Sequence, residues 1–247
     1  MSLGRLFLIP TDLAPDTAQA WAGSALRQAT TGLRRFVVEH PKTARQFLKS
    51  LGLAVQELEL HTLDEHSRPA EVDALARLLE TGDVGLLSEA GCPAIADPGA
   101  SLVEQAQRMG ARVVPLVGPS SLMLALMASG LNGQRFAFRG YLPARSPERE
   151  EAIRGAEARS RREDETQLFI EAPYRNDQLL AALLATCKGD TRLCLATDLM
   201  SAGESIATRT VSAWSNGPRP ALDRRPTVFL LLAPAASANR ADRPRRP

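Results

Sequence analysis

The sequence predicts an α/β protein built as two domains, and three observations carry that prediction. Strand and helix signals alternate with short turns through the first half of the 247-residue chain. That is the pattern of a parallel sheet with helices on both faces. A Gly-rich break, "SGLNGQRF", interrupts the rhythm at 129–136. Late in the chain, strand signals follow one another with no long helix between them, which predicts antiparallel pairing.

Each element has its own warrant. "RLFLIP" (5–10) is an apolar strand, "DTAQAWAGSALRQAT" (16–30) a helix, and "RRFVVE" (34–39) a second strand. A helix follows over 41–51, opened by Pro41 and stopped by Gly52, because proline suits a first helical turn and glycine the position past the last. "VQELEL" (55–60) is the third strand, "PAEVDALARLLETG" (69–82) an amphipathic helix, and "VGLLS" (84–88) the fourth strand. A bare loop leads to a helix near 99–109, then to the strand "RVVPLV" (112–117), "GPSS" and a helix through Ser129. In the second half, "RFAFRGYLP" is a strand, 146–163 a charged helix, "QLFIEAP" a strand and "YRNDQLLAALLATC" a helix. "RLCLATDL", "ESIATRTVSAW" and "RPTVFLLLA" complete the strands. The expected domains are 1–131, with the parallel sheet, and 132–233, with antiparallel pairing. Residues 234–247, rich in Ala, Pro and Arg, are expected to form a disordered basic tail.

Composition narrows the function classes. The chain is 44% hydrophobic and 23% charged, ordinary for a soluble globular protein. No apolar run approaches the roughly 20 residues that span a bilayer, and the opening "MSLGRLFLIP" is too short an apolar run for a secretory signal. Cys92, Cys187 and Cys194 form no CxxC pair, which suits a reducing cytoplasm. A cytoplasmic protein without a membrane partner is expected. The net charge of +2 hides an asymmetry: the last eight residues hold four Arg and one Asp, leaving 26 basic and 27 acidic residues in the body. No basic stripe announces a nucleic acid, and no DNA partner is expected.

The chemistry lies in the loops. "LLSEAGCPAIADPGASLV" (86–103) has Glu89 and Asp97 as its only charges. Its loop, 88–99, and the loop 117–121 both follow strands, where ligands sit in open α/β sheets. Gly91, Gly99 and Gly118 allow close backbone approach, while Pro93, Pro98 and Pro119 stiffen the path. A tight strand-to-helix turn explains one such loop as readily as binding does; two at neighbouring strand ends favour a pocket. Neither GK[ST] nor GxGxxG occurs, and the loops contain no Lys or Arg, which disfavours a phosphate ligand. Backbone groups and Ser hydroxyls without a cation suit an adenosyl group bearing a positive sulfonium, which a basic residue would repel.

"SEAGCPAIADPG", "VVPLVGPSSLMLALMASGL", "FAFRGYLP" and "FIEAPYR" occur here in one order and spacing. In them the chain strongly resembles the tetrapyrrole-methylase-like S-adenosylmethionine methyltransferases, and within that superfamily it is most like the ribosomal RNA small-subunit methyltransferases I. The likeness is strong over about 84–143, fair through Arg175 and loose elsewhere. It implies two α/β domains of the tetrapyrrole-methylase type, a methyl-donor cleft between them and a homodimer. It further implies that Leu13 lies against the adenosine, that Ala90, Gly91, Cys92 and Ile95 meet the donor, and that Ser120, Ser121, Ala172 and Leu199 complete the site. Cys92 stands where relatives have Thr or Asp; a small buried thiol is the plainer reading of its side chain.

There are departures. Relatives have a Gly-containing turn after "PT" and an acidic-threonine-arginine stretch at the second strand's end, where this chain reads "PTDLAPD" and "VVEHPKTAR"; Arg45 is a candidate for the displaced arginine, not an assigned one. The chain stops soon after "TVFLLLA", and is expected to lack the C-terminal extension of many ribosomal relatives.

The expected activity is S-adenosylmethionine-dependent methylation of small-subunit ribosomal RNA at a ribose 2′-hydroxyl, with processing of RNA or the small ribosomal subunit as its setting. A neutral hydroxyl needs a base, and Glu39 and Glu171, at predicted strand ends, are the candidate carboxylates. Caps or salt-bridge partners describe both equally well. Arg175 is placed either to orient a phosphate or to pair with Glu171. No metal is expected, since "HTLDEHS" (61–67) matches no zinc spacing. The helix "SPEREEAIRGAEARSRRED" mixes both signs and is a solvated face. Two other readings stay open: methylation of a small tetrapyrrole-like molecule, and a non-catalytic S-adenosylmethionine-binding protein.

Overall fold

A computed structural model describes residues 3–235. The basic stretch 236–247, most of the expected tail, lies outside the described residues. Two compact units divide the chain at Ser120 and Ser121.

In unit 1, five short strands form one parallel sheet in the order β3-β2-β4-β1-β5. They are β1 (Leu6–Ile9), β2 (Arg35–Val38), β3 (Glu59–Thr62), β4 (Val84–Leu87) and β5 (Val113–Pro115). Side chains alternate across a strand, and each face buries its own core. Phe7, Ile9, Phe36, Val38 and Leu87 pack against Ala18, Leu26, Phe47 and Leu48. Leu6, Val37, Val84 and Leu86 pack on the opposite side with Val72, Ala76, Leu102 and Ala106. The first set comes from α1 (Ala18–Trp21), α2 (Ser24–Thr31) and α3 (Pro41–Ser50), the second from α4 (Pro69–Ala76) and α5 (Gly99–Arg108). This is the expected parallel sheet covered on both sides.

The departures from the sequence reading are local. The helix expected over 16–30 is two, because the chain turns at Ala22 and extends at Gly23 (φ −70°, ψ 173°). The third strand starts late: Val55–Glu57 is a 3-10 turn, and pairing with β2 begins at Glu59 opposite Arg35. Val55 and Leu58 turn instead toward the core beneath α3. The helix over 69–82 ends at Ala76 and continues as a 3-10 turn, Arg77–Glu80.

Unit 2 begins with α6 (Ser121–Ser129), followed by β6 (Phe136–Tyr141), α7 (Glu148–Glu163), β7 (Thr166–Ile170) and α8 (Asn176–Thr186). Next come β8 (Arg192–Thr197), β9 (Ser205–Thr210), α9 (Val211–Asn216) and β10 (Thr227–Leu232). The sheet order is β6-β7-β10-β8-β9. β6 and β7 are parallel, while β10 is antiparallel to both β7 and β8, and β8 to β9. β6, β7 and β8 therefore run the same way, and their C-terminal ends share one edge of the sheet.

All six residues of β10 are buried, so both faces are covered there. α7 packs on β7 and β10, and α6 packs on β8, β9 and β10. Thr208 Oγ1 donates to the Ser129 carbonyl at 2.7 Å. α6 thus belongs with the second sheet, and the Gly-rich break at 129–136 lies inside unit 2. One expected strand is half helix: after Thr210 the chain enters α9, capped by Thr210 Oγ1 accepting from the Ala213 amide at 3.2 Å. Trp214 is buried there, donating from Nε1 to the Leu193 carbonyl at 2.9 Å.

Candidate functional site

In unit 1 the loops after β4 and β5 flank the end of β1, because β1 pairs with both strands. The chain leaving β1 is tied to the β4 loop. The Thr11 amide donates to the Gly91 carbonyl at 2.9 Å, Thr11 Oγ1 to the Ser88 carbonyl at 3.2 Å, and Ser88 Oγ to the Gly91 carbonyl at 3.1 Å. Gly91 sits at φ +78°, and a Cβ there would lie 3.1 Å from Leu13 Cδ2 and 3.4 Å from the Pro119 carbonyl oxygen. Three segments therefore converge on one glycine. A Cβ at Gly118 would be 2.3 Å from Pro10 Cβ, so the strand ends approach as closely as backbone allows.

The β4 loop holds further strain. Ala94 (φ +65°) and Ala96 (φ +61°) are both left-handed, a conformation that costs a non-glycine residue on the order of 1 kcal/mol or more. Asp97 fixes it, accepting from the Ala94 amide at 2.9 Å and from the Gly99 amide at 2.7 Å. Burial raises the Asp97 pKa, and those two amide bonds oppose the rise. Cys92 donates from Sγ to the Pro119 carbonyl at 3.3 Å. Burial pushes the thiol pKa up, so it stays a neutral donor.

A cleft of about 320 Å³ opens beside these segments, lined by Thr11, Asp12, Leu13, Asp16, Glu89 and Ala90 among others, with no Lys or Arg in its lining. Asp12 Oδ1 accepts from Trp21 Nε1 at 2.7 Å and from Thr17 Oγ1 at 2.9 Å. Glu89 accepts from Thr43 Oγ1 at 2.7 Å and lies 3.4 Å from His40 Nδ1. Glu39, just past β2, has its pKa raised first by burial and then by the Glu89 charge, with Asp97 adding to the rise and His40 opposing it. Sequence reading singled out Glu39 but passed over Asp12 and Glu89. An indole N–H seeks a partner when partly buried, and Trp21 nine residues after Asp12 was the available signal.

Of the residues selected from the sequence, Leu13, Gly91 and Cys92 meet around Pro119, and Ser120 follows it directly. Ala90 is exposed, and Ile95 is 50% exposed despite its apolar side chain. Ser121 opens α6. Ala172 and Leu199 follow β7 and β8 on one edge of the second sheet. Leu199 is buried between two left-handed residues, Asp198 (φ +51°) and Met200 (φ +66°). Glu171 is buried, with Oε1 accepting from Arg175 Nη2 at 2.6 Å and from the Ala172 amide at 2.8 Å, while Oε2 is buried without a hydrogen-bond partner. Arg45 lies exposed on α3.

No protein-family model matches this chain. The ribosomal RNA small subunit methyltransferase I of Pseudomonas aeruginosa is 34% identical over 208 residues, covering 83% of this chain and 70% of that protein. Its namesake in Escherichia coli O157:H7 is 30% identical over 246 residues, 98% of this chain and 82% of that protein. The Bacillus subtilis namesake is 30% identical over 218 residues, 87% and 71%. Among solved structures, the methyltransferase CobJ matches with a TM-score of 0.63 at 16% identity, over 94% of this chain and 95% of that one. The uroporphyrin-III C-methyltransferase of Thermus thermophilus, complexed with S-adenosylhomocysteine, matches with a TM-score of 0.54 at 16% identity, over 93% and 97%.

The fold is shared with these solved methyltransferases. The class, S-adenosylmethionine-dependent methyltransferases, comes with the relatives that match over most of the chain. The particular family follows from sequence identity over most of the chain. The protein belongs to the ribosomal RNA small subunit methyltransferase I family.

Proposed function

We propose that this protein transfers a methyl group from S-adenosylmethionine to small-subunit ribosomal RNA, at a ribose 2′-hydroxyl, as a cytoplasmic homodimer. The observation that carries the reading is the strained, cation-free loop around Gly91 in a chain of this family. The residues fit the donor: the cradle at Gly91 would be filled by a side chain, and the adjoining cleft presents Asp12, Asp16 and Glu89 with no cation to repel a sulfonium.

The donor supplies an electrophilic methyl group. The protein supplies alignment and desolvation. Leu13 and Ile95 offer apolar contact to the adenosine, and the backbone of Ala90, Gly91 and Cys92 approaches it closely. Ser120, which directly follows Pro119, adds a hydroxyl. Glu39, just past β2 and within electrostatic reach of Glu89 and Asp97, is the carboxylate assigned to take the hydroxyl proton. Glu171 holds the Arg175 guanidinium for an RNA phosphate.

Incubation of labelled donor with small subunits lacking the modification tests the reading. Label should enter the ribosomal RNA, and a free oligonucleotide of the same sequence should lag well behind. The body is near neutral and offers few phosphate contacts, so a preformed RNA shape must supply recognition. Equal labelling of both contradicts the shape argument. Labelling of neither moves the assignment to a small-molecule acceptor. Light scattering should give twice the chain mass; a monomer contradicts the homodimer.

A further inference from the structure

The chain has two tyrosines, and both are out in solvent: Tyr141 is 57% exposed and Tyr174 67%. Most of the other aromatic residues are buried or half-buried, so exposing these two large rings is the exception in this protein. They are also neighbours in the fold. Tyr141 ends β6 and pairs in register with Ile170 at the end of parallel β7, and Tyr174 follows Ile170 by one short turn. Both rings therefore rise from the C-terminal edge of a parallel strand pair, the edge where open α/β sheets place ligands. Ala172 and Leu199 lie on that same edge.

One cation lies over the Tyr174 ring, and two more arginines are close by in the fold or the sequence. The Arg175 guanidinium carbon lies 5.7 Å from the Tyr174 ring centroid, and its Nη2 is pinned at 2.6 Å to the fully buried Glu171 carboxylate. That pair fixes the turn carrying Tyr174. Arg224 is brought alongside by its own amide, which donates to the Pro173 carbonyl at 3.1 Å, and it adopts a left-handed φ of +58° to do so. Arg145 follows Tyr141 by four residues. The side chains of Arg145 and Arg224 are exposed, and neither makes a hydrogen bond or ion pair among the described residues.

We infer that Tyr141 and Tyr174, flanked by Arg145 and Arg224, form a platform that stacks unpaired RNA bases and binds the phosphates between them. Aromatic faces accept any base, and nearby arginines follow the backbone. A shape-selecting enzyme with a near-neutral body gains from such a platform, because stacking holds a splayed nucleotide without demanding a broad basic surface. The platform deepens the proposed function and rests on its RNA acceptor.

The test uses the full chain, fluorescence-labelled single-stranded RNA decamers at low salt, and small subunits in the methylation assay. Tyr174→Ala should weaken decamer binding roughly tenfold and raise KM for small subunits, leaving kcat and donor affinity by calorimetry near wild type. Tyr174→Phe should behave as wild type, because the ring and not the hydroxyl stacks. Tyr141→Ala should act in the same direction, and the Arg145→Ala/Arg224→Ala double variant should flatten the salt dependence of binding. Binding by both alanine variants equal to wild type overturns the platform, whatever is methylated. So does a wild-type protein that binds neither decamer nor subunit. Decamers bound through the tyrosines, with no methyl transfer to ribosomal RNA, leave the platform standing and remove the acceptor assignment instead.

Discussion

The loop after β4 and the turn after β7 are built from different material. The β4 loop works with backbone: Gly91, Ala94 and Ala96 are left-handed, and one carboxylate, Asp97, holds the path through main-chain amides. The β7 turn works with side chains: a buried ion pair, Glu171–Arg175, braces an exposed ring at Tyr174. A small ligand held on several sides is best met by backbone that side chains cannot obstruct. A long, flexible polymer is better met by projecting groups that stack and pair. On the proposed reading, the first loop meets the donor and the second presents groups to the acceptor.

Four substitutions would break or sharpen that contrast. The largest effect is expected from Gly91→Val, which adds a β-branched side chain at φ +78° with Leu13 and Pro119 in contact range. Donor affinity by calorimetry should fall more than about 100-fold while circular dichroism stays native. Undiminished affinity in a folded variant would make the loop a simple turn.

Glu39→Gln comes next. As the base, Glu39 should be worth about 100-fold or more in kcat. The same change should stabilise the protein. Folded Glu39 holds its proton more tightly than in the unfolded chain, because burial and the Glu89 and Asp97 charges penalise its ionised form. Its ionisation therefore costs stability as pH rises above the ordinary carboxylate value of 4.5. The variant should melt higher than wild type at pH 8 and equally near pH 3. A lower Tm at pH 8 contradicts the assigned environment.

Arg175→Ala strands the buried Glu171 carboxylate and should cost about 3 kcal/mol in urea unfolding. Replacing both partners by apolar residues should recover most of that loss; a double variant as unstable as the single one would show that Arg175 acts through packing alone. Cys92→Ala removes one weak thiol bond to Pro119 and should shift donor affinity less than about fivefold. A larger loss would give the thiol a direct role.

Elements with a period or a punctuating residue were readable in advance. The loop 88–99 announced the start of α5, and the apolar run in "RPTVFLLLA" announced a strand. What escaped depends on partners distant in sequence. The 16–30 helix breaks where Trp21 reaches back to Asp12, and Thr210 caps a helix whose Val211 had favoured a strand. The same division holds at the site. Glycines and prolines marked the β4 loop, but nothing about alanine signals that Ala94 and Ala96 are left-handed; Asp97 and the chain ends on either side impose it. Glu89 had no visible role until α3 brought Thr43 to it.

Calorimetric titration of the full protein with S-adenosylhomocysteine, and in parallel with ATP, tests the backbone-built, cation-free donor loop most directly. Both ligands carry adenosine; one ends in a net-neutral, zwitterionic amino acid and the other in phosphates. The account predicts saturable heat with S-adenosylhomocysteine and none with ATP. Tight ATP binding, or no heat with the adenosyl ligand, would contradict it.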